Sequence, residues 1–415
     1  MFNTLKNAFK VKEIRMKIFY MLVVLLIIRF GTYIPVPGID VSALADADVS
    51  STLYSYIAGG SYGTIFAMGI GPYITASIIM QLLTVAIPKL EQINKEEGEE
   101  GRKKINRWTR YLALGLAVLQ GCGQIYSVHN LFLQQNIFVY FVALVTMVTG
   151  TIFVMWLGEL LTEAGIGNGS SFIIFANILD KLDNAVLVLY NYVYGQGIMA
   201  WVTIILLLVV FLALVTFVVL VQDGERRIPV QYTKKMVGRR YVGGQSSYIP
   251  IKVNIAGVMA IIFAISLLQF PQTIYQFFPT NQVLAKIVSI LQIHAPVGCI
   301  LYIILIFCFT FFYTSFAFNS VEVADNMKKS GGLVPGVRPG KPTADYIQGI
   351  VDRMSLIGAC FYAVIALAPI VMQWVFKINV SFGGTTLLIV SGVALELIKS
   401  LEAQLVMRNY KGFLS

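Results

Sequence analysis

Ten apolar stretches, each long enough to cross a lipid bilayer, occupy most of this 415-residue chain, and the positive charge between them falls almost entirely on one side. They run over Ile18–Ile34, Met68–Ile87, Tyr111–Val128, Ile137–Leu157, Ser170–Leu189, Met199–Val221, Ile255–Phe270, Val297–Phe318, Leu356–Val375 and Thr385–Val406. Hydrocarbon offers no water to backbone N–H and C=O groups, so they must bond within the segment, and stretches of this kind are helices. The sequence predicts an all-α polytopic membrane protein with ten transmembrane helices.

Composition agrees: 57% of the residues are hydrophobic, 13% are charged, and the mean hydropathy is +0.76. A soluble domain carries about twice that charged fraction. Met1–Lys17 is a basic, amphipathic lead-in with no small-residue cleavage site, so a cleavable signal peptide is not expected. Cys122, Cys299, Cys308 and Cys360 lie in or beside apolar runs without metal-ligand spacing, and read as small buried thiols. The two histidines, His129 and His294, sit near helix ends, and no GKS- or GKT-type phosphate loop occurs. No metal, cofactor or catalysis is expected.

Lys and Arg placement sets the orientation. With the N-terminus in the cytosol, the N-terminal arm, the segments after the second, sixth and eighth stretches, and the C-terminal end hold 27 of the 31 basic residues. Arg29, Lys181, Lys286 and Lys377 fall outside. Both termini are therefore expected in the cytosol. The cytosolic segment Gly158–Asn168 has no Lys or Arg and follows its neighbours.

Two cytosolic segments are too long to be simple connections. In Asp223–Asn254, Ile228, Val230 and Tyr232 alternate, a turn-prone Met236-Val237-Gly238 follows, and Arg239-Arg240 opens the return, the pattern of a hairpin. Such a segment is either a docking surface or a spacer. In Asn319–Asp352, Lys328-Lys329 precede Pro335–Gly340, whose prolines and glycines hold Arg338 at a tight turn. A guanidinium there suits a carboxylate or phosphate partner, or is an incidental charge on a solvated turn.

Charge is scarce within the spans; Arg29, Glu159 and Glu396 are the main instances. An ion-coupled carrier needs mid-membrane carboxylates or broken helices that hold an ion, and no such relay is evident, although backbone carbonyls can also bind sodium. The segment Ser51–Ala67 is semi-apolar and interrupted by Gly59, Gly60 and Gly63. It reads either as a re-entrant piece tucked into a cavity, weakly helical and easily displaced, or as an external amphipathic loop. A polypeptide channel, a solute transporter and a non-conducting scaffold remain open on these features, though a scaffold has no use for a re-entrant segment.

The stretches Phe66–Leu83, Gly165–Gly169, Ala324–Gly331, Pro335–Gly340 and Phe382–Ile389 resemble, co-linearly and over essentially the whole length, the SecY family, central subunits of the bacterial Sec protein-conducting channel. The resemblance implies two pseudo-symmetric five-helix halves related as an inverted repeat, 1–195 and 196–415, around a central pore. An apolar ring would come from Ile70, Ile74, Ile174, Ile262 and Ile389, with Ser170 where the family commonly has a branched apolar residue. A plug of about Ser51–Phe66, including Tyr56, Gly59, Gly60 and Gly63, would seal the outer funnel. Thr75, Gln120 and Asn254 would line a lateral gate between the second and third helices and the seventh and eighth. Arg239, Arg240, Arg338, Lys328 and Lys329 would dock the SecA ATPase or a ribosome, with ribosomal RNA a candidate contact. SecE and SecG would be partner subunits. Signal peptides and nascent polypeptides would be the passengers, moving across the cytoplasmic membrane or into its lipids. The chemistry is coherent with this: a flexible aliphatic constriction excludes water and ions yet deforms around any side chain.

Overall fold

A computed structural model describes residues 9, 11–40, 63–96, 98–127, 129–164, 167–180, 198–232, 235–237, 240–242, 246–277, 281–293, 295–376 and 384–411. Its helices are α1 (Lys12–Gly31), α2 (Gly71–Ala86), α3 (Pro88–Glu96), α4 (Gly98–Ser127), α5 (Ile137–Glu163), α6 (Gly169–Asp180), α7 (Ile198–Gln222), α8 (Met259–Phe277), α9 (Gln282–Leu291), α10 (Pro296–Ala317), α11 (Ser320–Lys329), α12 (Lys341–Phe376) and α13 (Gly384–Lys411). Five short strands, β1 (Glu225–Tyr232), β2 (Lys235–Val237), β3 (Arg240–Val242), β4 (Ser246–Lys252) and β5 (Gly332–Leu333), lie between them.

Within the described residues each apolar stretch read from the sequence overlaps a helix, while 181–189 of the fifth lie outside them. α5, α7, α10 and α12 contain runs long and apolar enough to cross a membrane by themselves. The exteriors are greasy: Leu22 and Leu26 on α1, Phe138 on α5, Leu208 on α7 and Ile300 on α10 are all exposed. Apolar belts of that extent need lipid around them. Hydroxyls inside the apolar helices bond back to their own backbone, as in Thr84 to the Met80 carbonyl (2.7 Å) and Thr310 to that of Ile306 (2.7 Å). This removes the cost of an unpaired polar group in hydrocarbon.

Several helices outrun the expected stretches. The basic segment after the second stretch is helical, as α3 and the first turns of α4. Gly158–Glu163 continues α5, and the last third of the segment read as a loop over Asn319–Asp352 is the start of α12. α11 lies in the same segment, its N-cap Asn319 accepting from the N–H groups of Val321 (3.2 Å) and Glu322 (3.3 Å). α9 corresponds to no expected stretch.

The chain divides into two compact units, Met1–Tyr190 with Gln269–Ser289 and Val393–Ser415, and Asn191–Leu268 with Ile290–Gly392. In the first unit, α2, α4 and α5 meet at small side chains, Ala76 and Ala113 packing on Met155. A second core gathers Val36, Ile39, Met68, Phe132 and Met147. In the second unit, Phe263 of α8 meets Phe309 (5.6 Å) and Tyr313 (5.9 Å) of α10 edge-on.

The second unit also carries a three-stranded sheet in the order β4-β1-β5, with Ile228 opposite Ile249 and Gln231 opposite Leu333. The alternation read from the sequence holds for Ile228 and Val230, which with Ile251 of β4 enter a core with Met327, Val334, Ile347 and Val351, whereas Tyr232 at the end of β1 is exposed. The turn does not sit at Met236-Val237-Gly238. Met236 and Val237 are strand residues, paired with Tyr241 and Arg240. The connection between the two strands, 238–239, lies outside the described residues.

Candidate functional site

The expected ring residues fall into a group within each unit. In the first, Ile70 is the N-cap of α2, and its carbonyl accepts the Ile74 N–H (3.1 Å), which sets the two side chains one turn apart. Ile70 is fully buried, Ile174 on α6 is buried, and Ile74 and Ser170 are half-buried. Ile70 and Ser170 meet at Gly158 of α5: a Cβ there would stand 3.2 Å from Ile173 Cδ1, 3.5 Å from Ile70 Cδ1 and 3.6 Å from Ser170 Oγ. The small Ser170 thus abuts another helix. Phe172, two residues on, is buried and stacks with Phe175 (6.1 Å).

In the second unit, Ile262 and Ile389 are both buried. The Ile262 N–H bonds to the Val258 carbonyl (3.2 Å). An added Cβ at Gly392 would meet Val258 Cγ2 at 2.8 Å, so the third turn of α13 lies against the residue that leads into α8.

Ser51, Tyr56, Gly59 and Gly60 lie outside the described residues. What borders them is well defined. Val36 N–H bonds to the Gly63 carbonyl (2.8 Å) and Ile65 N–H to that of Ile34 (3.0 Å). Asp40 N–H reaches the Leu131 carbonyl (2.9 Å), and Leu133 N–H that of Gly38 (3.0 Å). The two ends of the 41–62 segment are therefore tied into one neck. Phe66, the last residue of the expected plug, is described. It is a packed residue rather than an easily displaced one, 6% exposed and stacked on Phe153 (6.1 Å). Its ring fills a slot that glycine makes: a Cβ on Gly31 of α1 would lie 1.9 Å from Phe66 Cε2, and one on Gly150 of α5 would lie 2.1 Å from the Ile65 carbonyl oxygen.

Of the expected gate residues, Thr75 is half-buried on α2 and donates to the Gly71 carbonyl (3.1 Å). Gln120 is half-buried on α4. Asn254 lies between β4 and α8, and its Oδ1 accepts a hydrogen bond from the buried Tyr362 hydroxyl of α12. No sequence signal marks Tyr362's part, because an aromatic in an apolar run reads as packing.

Arg338 is exposed on a turn shaped by Gly336 (φ 84°) and Gly340 (φ 99°), a left-handed backbone that side chains resist. Thr343 Oγ1 donates to the Arg338 carbonyl (2.8 Å) and fixes the turn. Lys328 and Lys329 are exposed in the last turn of α11, where cations also favour the helix dipole. Arg239 lies outside the described residues, and Arg240 begins β3. On β1, Arg227 Nε bonds to Glu225 Oε1 (2.7 Å), which raises the guanidinium pKa above its usual range, and its head lies 4.8 Å from the Tyr248 ring centre. Arg227 is thus held by one carboxylate and one aromatic ring on the exposed side of the sheet.

Within the apolar helices, Glu159 is paired with Arg110 Nε at 2.8 Å, and Arg29 lies over the Tyr33 ring (5.3 Å). Among the described residues no group of three His, Cys, Asp or Glu side chains is placed to hold a metal ion.

The sequence model of the SecY family matches residues 64–398. A protein translocase subunit SecY of Streptomyces scabiei is 43% identical over 441 aligned positions, covering all of both chains. That of Aquifex aeolicus is 42% identical, covering 99% of this chain and 98% of its own. The fold is shared with Sec61 of the canine ribosome–channel complex from the endoplasmic reticulum (TM-score 0.60, 16% identity, 93% of this chain and 91% of that one). It is shared also with the idle yeast Ssh1 complex bound to the 80S ribosome (TM-score 0.66, 16% identity, 90% and 86%). By these full-length matches the chain belongs to the SecY family.

Proposed function

We propose that this chain is the pore-forming subunit of a protein translocase: it passes unfolded secretory polypeptides across the cytoplasmic membrane and releases apolar segments sideways into lipid. The observation that carries this reading is the end-to-end match, at 43% identity, to a curated translocase subunit. The fold supports it through its likeness to a solved protein-conducting channel (TM-score 0.63). The pore conducts rather than catalyses. Ten spans, in halves 1–195 and 196–415, place both termini in the cytosol, as the charge distribution favours.

In this reading Ile70, Ile74, Ser170 and Ile174 face Ile262 and Ile389 around the waist. The apolar ring dewets when empty and yields when filled. The segment of about Ser51–Phe66 is the plug, with Phe66 as its fixed base. Thr75, Gln120 and Asn254 line the gate through which a signal peptide enters lipid. Arg239, Arg240, Lys328, Lys329 and above all Arg338 receive an anionic face of the SecA ATPase or a ribosome, including ribosomal RNA. SecE and SecG complete the complex.

The test is reconstitution with SecE, SecG and SecA in vesicles. A signal-bearing precursor should become protected from added protease in an ATP-dependent way. Protection equal to that in vesicles lacking the chain would overturn the reading.

A further inference from the structure

The linker that joins the cytosolic sheet to α8 is pinned at three successive points. The Val253 N–H donates to the Gly224 carbonyl (3.0 Å), tying the linker to the end of α7. At Gly358 of α12 an added Cβ would stand 2.8 Å from the Val253 carbonyl oxygen, so helix and linker backbones touch. One helical turn later, the Tyr362 hydroxyl donates to Asn254 Oδ1. Tyr362 is fully buried, and its ring is held by Phe361 (5.4 Å), which in turn meets Phe217 of α7 (5.3 Å). A phenol so placed is costly without an acceptor, so the geometry fixes Asn254 rather than merely touching it. The same α12 packs its first turns, through Ile347 and Val351, under the sheet, and follows directly on the Arg338 turn.

We infer that Tyr362 is a positioning residue for the lateral gate. Through Asn254 it holds the start of α8 on α12 and sets how strong a signal peptide must be to open the channel. α12 would then be the element that a partner docked at Arg338 shares with the gate. The inference rests on the reading of Asn254 as a gate residue.

The experiment uses the full complex in vesicles and two precursors, one with an intact signal peptide and one whose apolar core is shortened. The readout is the ratio of the protected fraction of the second to that of the first. One hydrogen bond is a small lever, so Tyr362→Phe should raise that ratio roughly two- to tenfold. Asn254→Ala should raise it too, and the double variant should exceed neither single one. Gly358→Ala, which pushes the linker off the helix from the other side, should act in the same direction and decides the matter if Tyr362→Phe does not assemble. A ratio unchanged in Tyr362→Phe and Gly358→Ala but raised in Asn254→Ala would overturn the inference and leave the gate reading standing. An unchanged ratio in Asn254→Ala would remove the gate reading and the inference with it. Equal loss of both precursors in Tyr362→Phe would show a merely structural role and also overturn it.

Discussion

If Phe66 is the fixed base of the plug, emptying its slot should make the resting channel leak. The side chain is 6% exposed, lies against Phe153 and occupies the space left by the missing Cβ atoms of Gly31 and Gly150. Removing a buried phenylalanine costs about 3–5 kcal/mol, and each 1.4 kcal/mol is a factor of ten in an equilibrium. Phe66→Ala should therefore shift the balance between anchored and released base by at least about a hundredfold. Conductance of the assembled complex in planar bilayers, without substrate, should rise at least tenfold. The slot offers an independent perturbation. Gly31→Ala puts a methyl 1.9 Å from Phe66 Cε2 and must displace the ring. Leucine lacks that atom, so Gly31→Ala with Phe66→Leu should be tighter than Gly31→Ala alone. Normal resting conductance in both Phe66→Ala and Gly31→Ala, at wild-type levels of assembly, would refute the anchoring. So would a double variant as leaky as the single one.

Arg338→Glu should abolish SecA-driven export while the complex still assembles, because the residue is exposed and its turn is held by backbone contacts; normal export of a secretory precursor would count against docking there. Replacing Ile174 and Ile262 together with Ser should raise resting ion conductance, since hydroxyls wet an apolar waist; a tight seal in that variant would argue against the ring. Glu159→Gln should lower thermal stability by no more than about 1 kcal/mol, because the Arg110–Glu159 pair is partly exposed (51% and 21%). A larger loss in a melting experiment on the purified complex would mean the pair supports more than itself.

Hydropathy reported well on what lipid touches. The apolar runs became helices, and the alternation at Ile228 and Val230 became a sheet face. It reported poorly where helices leave the bilayer. The first turns of α4 and α12 are charged or mixed, so no apolar run marks them. α9 is apolar but only ten residues long, with Gln282, Lys286 and Ser289 at helical spacing, so it falls short of a bilayer-spanning stretch. The resemblance placed Ile70 and Ser170 on the page, but their meeting at Gly158 depends on a close approach of α5 and α6 that no local pattern encodes. Tyr362 is the clearest case. Its role lies in one hydroxyl bonded to a residue 108 positions away, and side-chain pairing at that distance leaves no periodic trace. Phe66 is a further case: glycine-rich sequence around Gly63 shows weak helix propensity, and the seat against Gly31 and Gly150 is a tertiary contact that no local pattern encodes.

The hydrogen bonds from Val36 to Gly63 and from Ile65 to Ile34 bring the two ends of the 41–62 stretch side by side. Closing a loop whose feet are already together depends only weakly on its length, with each doubling adding about 0.6 kcal/mol. Chain length ahead of the plug, over 41–50, can thus vary without dragging on α1 or α2. Natural variation in length should gather there, before Ser51, where it leaves the seal intact.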